Sequence, residues 1–167
     1  MKPRTYHLTE TTTATPRQVL DAITDFGPGR QEIFGNSADQ FLEVHDLGDT
    51  YADVTEGTGK GDKPVSWERL RYDWSDPSRV TMKVLDSNVF SSDSSHTYAI
   101  TPQADGTTRV DVDVVRVGKN LKGRVLSLVV STIGEGSLAK ALHSTIKAIE
   151  TRDARSPVAG RRLGVTP

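Results

Sequence analysis

The feature that most constrains the fold is a stretch of about thirty residues near the end of the chain with the periodicity of one long amphipathic helix. It extends from Gly118 to about Arg152. Its apolar positions form two stripes at helical spacing: Leu121, Val125, Leu128, Val129, Thr132 and Ile133, then Leu138, Leu142, Ile146 and Ile149. A helix of this length is well above the average. It must bury its apolar side against a large partner surface.

Strand-like segments precede this helix and offer such a surface. One alternating segment, Thr5 to Thr13, opens the chain. Six more follow in a row: Gln40 to Asp46, Thr50 to Glu56, Val65 to Trp74, Arg79 to Ser87, Val89 to Thr101 and Thr107 to Val117. The connections are mostly short and rich in turn residues, such as Asp105-Gly106, where glycine supplies a positive φ at low cost. The pattern predicts an antiparallel meander.

Two short helices are predicted between the first strand and the meander. Thr15 is suited to cap the first helix and Pro16 to open it, with Val19, Leu20 and Ile23 on one face. The residues Gly27-Pro28-Gly29 would end it. A second helical turn is predicted over Arg30 to Phe34.

Together these elements predict an α+β fold in which a seven-stranded antiparallel sheet wraps around the long C-terminal helix. A single helix about 10 Å across cannot fill a curved sheet, so a cavity should remain between them. We expect residues 1–152 to form one ligand-binding domain. Residues 153–167, which are rich in arginine and poor in apolar periodicity, are predicted to form a disordered tail.

Composition narrows the classes of partner. Lys and Arg total 21 against 22 Asp and Glu, a net charge of −1, so we expect no nucleic-acid partner. The chain has no cysteine, and its N-terminus lacks the apolar stretch of a signal peptide, which together suggest a cytoplasmic protein. No apolar run approaches the length needed for an integral membrane segment. The four histidines fall on separate elements, so we expect neither a metal nor a cofactor.

The segment Gly134 to Ala139 matches the glycine spacing of a dinucleotide-binding turn. That motif requires a second strand and an acidic residue about 20 positions further on. The chain offers only one helix and the arginine-rich tail at this point. The glycines Gly134 and Gly136 are therefore interpreted as a bendable point in the long helix, and we predict that they act as a gate to the cavity.

The chain resembles the START-like, Bet v 1-like superfamily, which includes polyketide cyclases and dehydrases and lipid-carrying proteins. The resemblance rests on TPRQVLDAITDF after the first strand, on DGTTRVDVDV opening the last strand and on the closing helix, and covers residues 5 to about 152. The resemblance implies a helix-grip fold and a hydrophobic ligand, but it implies no fixed set of catalytic residues. Relatives often carry a tryptophan soon after the first helix; here Phe34 is predicted to take that wall position.

The alternation within strands predicts which side chains face the cavity. In the segment Val89 to Thr101, the more apolar set of positions also contains His96, and it is assigned inward. Val80, Met82, Val84, Val110, Val112 and Val114 should add apolar wall. The predicted ligand-binding residues are Glu68, Leu70, Tyr72, Trp74, Met82, Phe90, Ser92, Ser94, His96, Tyr98, Val112, Leu138 and Leu142.

These residues are compatible with two functions, and a third is a weaker alternative. His96 and Glu68 in an apolar pocket could serve as base and acid, with Tyr98 holding an enolate oxygen, as a cyclase or dehydratase would require. The simpler interpretations are that His96 is a structural residue and that Glu68 faces solvent or pairs with Arg69 or Arg71. A carrier or sensor of a lipid, polyketide or similar molecule is favoured because no convincing catalytic pair is evident. A protein-interaction module of the same fold is the third reading.

Overall fold

The computed structural model describes residues 3–155, apart from the side chains of residues 122, 124, 126–135 and 153–155. Seven antiparallel strands form one sheet in the order β1-β7-β6-β5-β4-β3-β2. Their bounds are β1 Arg4–Thr12, β2 Glu43–Leu47, β3 Tyr51–Thr58, β4 Ser66–Asp73, β5 Arg79–Ser87, β6 Ser95–Pro102 and β7 Thr108–Arg116. The predicted meander is confirmed, and the first strand joins it beside the last.

The two short helices lie where the sequence predicts them. Helix α1 spans Pro16–Ile23, and α2 spans Arg30–Ile33. Thr15 caps α1: its hydroxyl accepts from the Gln18 backbone N–H, and the Gln18 side chain accepts from the Thr15 backbone N–H at 2.8 Å. This reciprocal pair is a capping box, which fixes the point where the chain turns from β1 into the helix.

Two predicted strands are shorter than the alternation suggests. A 3-10 turn occupies Asp39–Phe41, so β2 begins only at Glu43. Residues 88–94 form turns rather than the start of β6. There the Ser91 backbone N–H donates to the Val117 carbonyl at 2.8 Å, and the Ser94 N–H to the Ser91 carbonyl at 3.0 Å. These bonds close a turn, which the alternating pattern alone does not reveal.

The closing helix α3 spans Leu121–Arg155, and the rest of the predicted tail lies outside the described residues. Asn120 caps its start by accepting from the Gly123 backbone N–H at 2.9 Å. In its second half Leu142, Ile146 and Ile149 are buried in the core against the sheet, as predicted. The helix continues through Gly134 and Gly136. Their predicted role as a gate stays a prediction.

The beginning of α3 departs from the predicted burial. Leu121 is 76% exposed and Val125 53% exposed, so the first stripe does not pack against the sheet at its start. The reason lies in Gly123, whose backbone rests directly on the Val89 carbonyl of the β5–β6 connection. This first turn docks through main chain, and its larger apolar side chains remain on the outside.

Two glycine substitutions in α3 should have opposite effects on stability. A methyl group at Gly123 would overlap the Val89 carbonyl oxygen, so Gly123→Ala should destabilise the protein by about 1–3 kcal/mol despite the helical preference of alanine. Gly136 has nothing within 4 Å of the added atom, so Gly136→Ala should stabilise it by up to about 1 kcal/mol. Urea unfolding measures both. Equal effects of the two would contradict the close packing at Gly123.

Candidate functional site

A cavity of about 640 Å³ lies between the sheet and the second half of α3. Its walls come from the concave faces of β1 and β3 to β7, from residues 31–36 at and after α2, and from α3. Phe34 lines it, at the wall position predicted for that residue. The volume lies within the range of small-molecule sites in proteins. The cavity therefore has the size and position expected from a sheet that one helix cannot fill.

Most predicted ligand-binding residues line this cavity: Glu68, Leu70, Tyr72, Met82, His96, Tyr98, Val112, Leu138 and Leu142. The alternation of β4 to β7 assigned their direction correctly. The wall residue Val114 also lines it, whereas Val80, Val84 and Val110 are buried in the core of the sheet.

The other four predicted residues lie elsewhere. Trp74 follows the end of β4 and donates its indole N–H to the Asp49 carbonyl at 3.0 Å. Phe90 is buried beneath the guanidinium of Arg116, 4.3 Å from its ring centroid. The remaining two are serines in the turn that replaces the predicted start of β6.

Of these two serines, Ser92 is exposed, and Ser94 is buried but has a structural partner. The Ser94 hydroxyl accepts from the Val117 backbone N–H at 2.9 Å, which ties the turn to the end of β7. Both were predicted to face inward as part of a continuous strand. That prediction is wrong because the chain leaves the extended conformation over residues 88–94 and the alternation is lost with it.

One end of the site is built around a buried arginine. Arg30 of α2 is 3% exposed, and its Nε lies 2.6 Å from Oε1 of Glu56 on β3. The same guanidinium donates to the Tyr72 hydroxyl at 2.9 Å. It also donates to two backbone carbonyls: that of Ile23, the last residue of α1, at 3.1 Å, and that of Asp25, just after the helix, at 2.7 Å. The five-donor fork of arginine suits such a crowded set of acceptors.

Aromatic rings enclose this guanidinium. Its Cζ lies 4.5 Å from the Phe26 centroid and 4.7 Å from the Phe34 centroid. Burial, followed by the negative charge of Glu56, raises the pKa of Tyr72 well above 10, so its hydroxyl stays protonated and donates to Glu56 at 3.1 Å. Glu56 and Tyr72 line the cavity, so this network forms a fixed polar end wall.

A second ion pair lies on the same concave face. Arg116, the last residue of β7, places its Nη1 2.8 Å from Oε2 of Glu68 on β4, and both side chains are largely buried. Glu68 is the cross-strand partner of Glu56. Like charges directly opposite one another are destabilising. Each carboxylate is therefore matched by its own arginine, and Glu68 is not the free acid that the catalytic hypothesis requires.

His96 and Tyr98 lie two residues apart on β6, between these ion pairs. His96 is deep in the protein but retains some accessible surface, as expected of a cavity wall residue. Among the described residues nothing hydrogen-bonds to its buried Nε2. Burial, and to a smaller extent the charge of Arg116, lowers the pKa of His96 well below 6.5. The imidazole is neutral at pH 7.

Tyr98 is also neutral. Burial raises the pKa of Tyr98 to about 12; the charge of Glu56 adds to this effect, and those of Arg30 and Arg116 oppose it. No described side chain hydrogen-bonds to its hydroxyl. The site thus offers one neutral imidazole and one neutral phenol to a bound molecule. Such pairs of uncommitted polar groups within an apolar wall are typical of ligand sites.

The sequence interpretation missed Arg30, Glu56 and Arg116. Strand alternation could have identified two of them. Arg116 lies on the same face of β7 as Val112 and Val114, and Glu56 lies on the same face of β3 as Val54. Arg30 carried no such signal, because a four-residue helix has no apolar periodicity from which to infer burial.

The buried His96 predicts a pH dependence of stability. Its folded-state pKa is below the unfolded value of 6.5, so the unfolded chain binds the proton first. Its contribution is complete above pH 6.5 and is lost as the pH falls toward the folded-state pKa, by as much as about 1.4 kcal/mol for each pH unit. Carboxylates ordinarily titrate at lower pH, at about 4, so a loss of stability that begins just below pH 6.5 can be assigned to histidine.

Urea unfolding between pH 5 and 8.5 measures this effect. In His96→Gln the loss of stability just below pH 6.5 should be smaller than in the wild type, whereas above pH 7.5 the difference between the two proteins should be constant. Parallel curves over the whole range would show that His96 can be protonated in place and would contradict a neutral buried imidazole.

Metal binding and membrane insertion find no support in the described residues. Within residues 3–155, no group of three or more His, Cys, Asp or Glu side chains is placed to hold a metal ion. No helix of the described chain combines the length and apolar character of a membrane span.

The fold and the cavity define a helix-grip protein: a seven-stranded antiparallel sheet gripping one long C-terminal helix, with a ligand-sized space between them. The chain belongs to the polyketide cyclase / dehydrase and lipid transport family, whose model matches residues 4–150. This confirms the superfamily predicted from the sequence. No curated protein matches the sequence.

Solved structures share the fold at low identity. The Zhui aromatase/cyclase from a Streptomyces species superposes with a TM-score of 0.70 at 17% identity, covering 90% of this chain and 96% of that one. A START superfamily protein from Mycobacterium smegmatis gives 0.62 at 11%, covering 90% and 97%. Norcoclaurine synthase from Thalictrum flavum, solved with dopamine and hydroxybenzaldehyde, gives 0.63 at 12%, covering 92% and 88%. At these identities the likeness concerns the fold alone.

Proposed function

We propose that this protein binds a small hydrophobic ligand in the cavity between sheet and closing helix and acts as its carrier or sensor. The observation that carries the proposal is the cavity itself, about 640 Å³ in volume. Much of its wall is apolar, including Leu8, Leu70, Met82 and Val112. Water in such a space gains little from these side chains, so an apolar molecule that displaces it is favoured.

The state of the carboxylates favours binding over catalysis. An acid–base mechanism needs a group that can exchange protons near neutral pH. Both inward-facing glutamates on the central face, Glu56 and Glu68, are held by arginines at 2.6 and 2.8 Å. Neither is free to protonate a leaving group without first leaving its partner.

Fluorescence titration with N-phenyl-1-naphthylamine, an uncharged dye that brightens in apolar surroundings, tests the proposal. We expect saturable binding of one dye per chain, and its displacement by ligands recovered from the protein's own host. Native mass spectrometry of protein purified from that host should show a bound small molecule. If the folded protein neither takes up the dye nor carries a molecule, the binding function is wrong.

A second candidate, a cyclase or dehydratase acting on a polyketide-like molecule, is supported by His96. His96 is a buried imidazole whose Nε2 has no hydrogen-bond partner among the described residues, and the Tyr98 phenol lies two residues further along the same strand. Such an arrangement can serve chemistry. His96 would remove a proton α to a carbonyl while the Tyr98 hydroxyl donates to the oxygen that gains negative charge. A co-purified molecule that the wild type converts, with loss of water, and that His96→Gln binds unchanged would establish this function.

A further inference from the structure

The buried charges at the cavity form two matched ion pairs. Arg116, Glu56 and Glu68 line the cavity, and Arg30, which is buried behind the wall, pairs with Glu56. The other acidic side chain among the described lining residues is the exposed Glu32. Each guanidinium already has a carboxylate partner at 2.8 Å or less, so its positive charge is already balanced.

An anionic group that entered the cavity would therefore be unpaired. It would lose its water and find both arginines committed, with two carboxylates on the adjacent strands β3 and β4. A buried charge without a partner is strongly unfavourable. A cationic group would be repelled by the positive charge of Arg116, the same charge that disfavours protonation of His96.

The uncommitted polar atoms, in contrast, suit a neutral group. The buried Nε2 of His96 has no hydrogen-bond partner among the described residues, and the Tyr98 hydroxyl has none either. A neutral imidazole can accept from a hydroxyl or donate to a carbonyl, depending on its tautomer, and a phenol can do both. The two side chains are separated by about 7 Å along one strand. One oxygen-bearing ring could reach either of them.

From this balance we infer that the cavity selects uncharged molecules carrying a hydroxyl or carbonyl group on their buried part, and rejects carboxylates and phosphates of the same size. The inference rests on the proposed binding function and narrows it. The inference predicts that phenols, alcohols and ketones bind and that fatty acids and phospholipids do not. The proposed binding function alone does not distinguish these classes of ligand.

Three probes of one ring size test the inference: naphthalene, 2-naphthol and 2-naphthoate, titrated at pH 7 against the full chain by displacement of N-phenyl-1-naphthylamine. We expect 2-naphthol to bind at least about tenfold more tightly than 2-naphthoate. It should also bind severalfold more tightly than naphthalene because it satisfies a buried polar group. In the variant His96→Leu with Tyr98→Phe, the advantage of 2-naphthol over naphthalene should disappear while naphthalene affinity is kept.

The outcomes separate the inference from the function beneath it. If 2-naphthoate binds as tightly as 2-naphthol, the inferred selection against charged ligands is wrong. If naphthalene binds as tightly as 2-naphthol, the inferred selection for a hydrogen-bonding group is wrong. In both cases the cavity still binds apolar molecules. If the dye and all three probes fail to bind to the folded protein, the binding function fails and the inference with it. Tyr98→Phe alone, which preserves shape, provides a second reading should the double variant unfold.

Discussion

Replacing Arg30 by methionine is expected to destabilise the protein by about 3–5 kcal/mol. The guanidinium is 3% exposed and bonds to Glu56, to Tyr72 and to the carbonyls of Ile23 and Asp25. Methionine keeps much of the apolar contact with the surrounding rings, but it leaves the two carbonyls without this donor and the Glu56 carboxylate with the Tyr72 hydroxyl in place of an opposite charge. Unpaired buried groups of this kind carry the full cost of their lost hydration.

Arg17→Met provides a matched control. Arg17 also pairs with a carboxylate, Asp21, at 2.8 Å, but its side chain is 79% exposed. Exposed pairs within one helix contribute only about 0.3–0.5 kcal/mol. Urea unfolding of both variants should show a difference of several kcal/mol. Similar small losses for both would mean that Arg30 is solvated in solution.

A double-mutant cycle separates the ion pair from the other bonds of Arg30. Glu56→Gln alone removes the carboxylate charge and should be less damaging than Arg30→Met. In the double variant no carboxylate remains at position 56 to lack its arginine, so the loss should be smaller than the sum of the two single losses. Strict additivity would show that Arg30 acts through the carbonyls and the aromatic rings rather than through Glu56.

Replacing Ala141 by tryptophan is expected to lower ligand affinity by at least about tenfold, which corresponds to about 1.4 kcal/mol. Ala141 lines the cavity from α3, so a larger side chain at this position occupies the space that a ligand needs. Titration with N-phenyl-1-naphthylamine measures the change. Stability should change little, because the added ring fills open space rather than packed core.

Ala139→Trp is the control for this substitution. Ala139 lies on the same helix, is exposed and does not line the cavity. The same residue is therefore introduced into the same element without filling the cavity, and dye affinity should match the wild type. If both variants weaken binding equally, the ligand lies outside the cavity described above.

Much of the fold could be predicted because local rules and global packing agree in this chain. Thr15 and Pro16 predicted the start of α1, and the structure shows a capping box there. Gly106 adopts a φ of 85°, the left-handed conformation that an Asp-Gly turn requires. The overall α+β fold followed from one long helix that needed a sheet to cover it. The start of β6 could not be predicted, because hydrogen bonds between residues 91, 94 and 117 decide it.

The candidate site was less predictable than the fold. Strand alternation correctly placed His96 and Tyr98 on the cavity wall, because direction depends only on parity once a strand is known. The partners of charged residues depend instead on tertiary contacts. Glu68 was predicted inward, but its neutralisation by Arg116 joins residues from β4 and β7. The spacing of residues in the sequence does not predict this pairing. Because Glu68 is paired, it is a partner of Arg116 rather than a free acid.

The pairing of β1 with β7 also sets the order in which the protein can fold. Arg4 lies opposite Arg116 and Thr12 opposite Thr108, so β1 can pair with β7 only after the rest of the sheet has been synthesised. The hairpins from β2 to β7 are local and can form early, whereas closing the sheet with β1 requires a long loop to be ordered first. We therefore expect β1 to stay unpaired during synthesis until β7 has been made, and α3 to complete the core last.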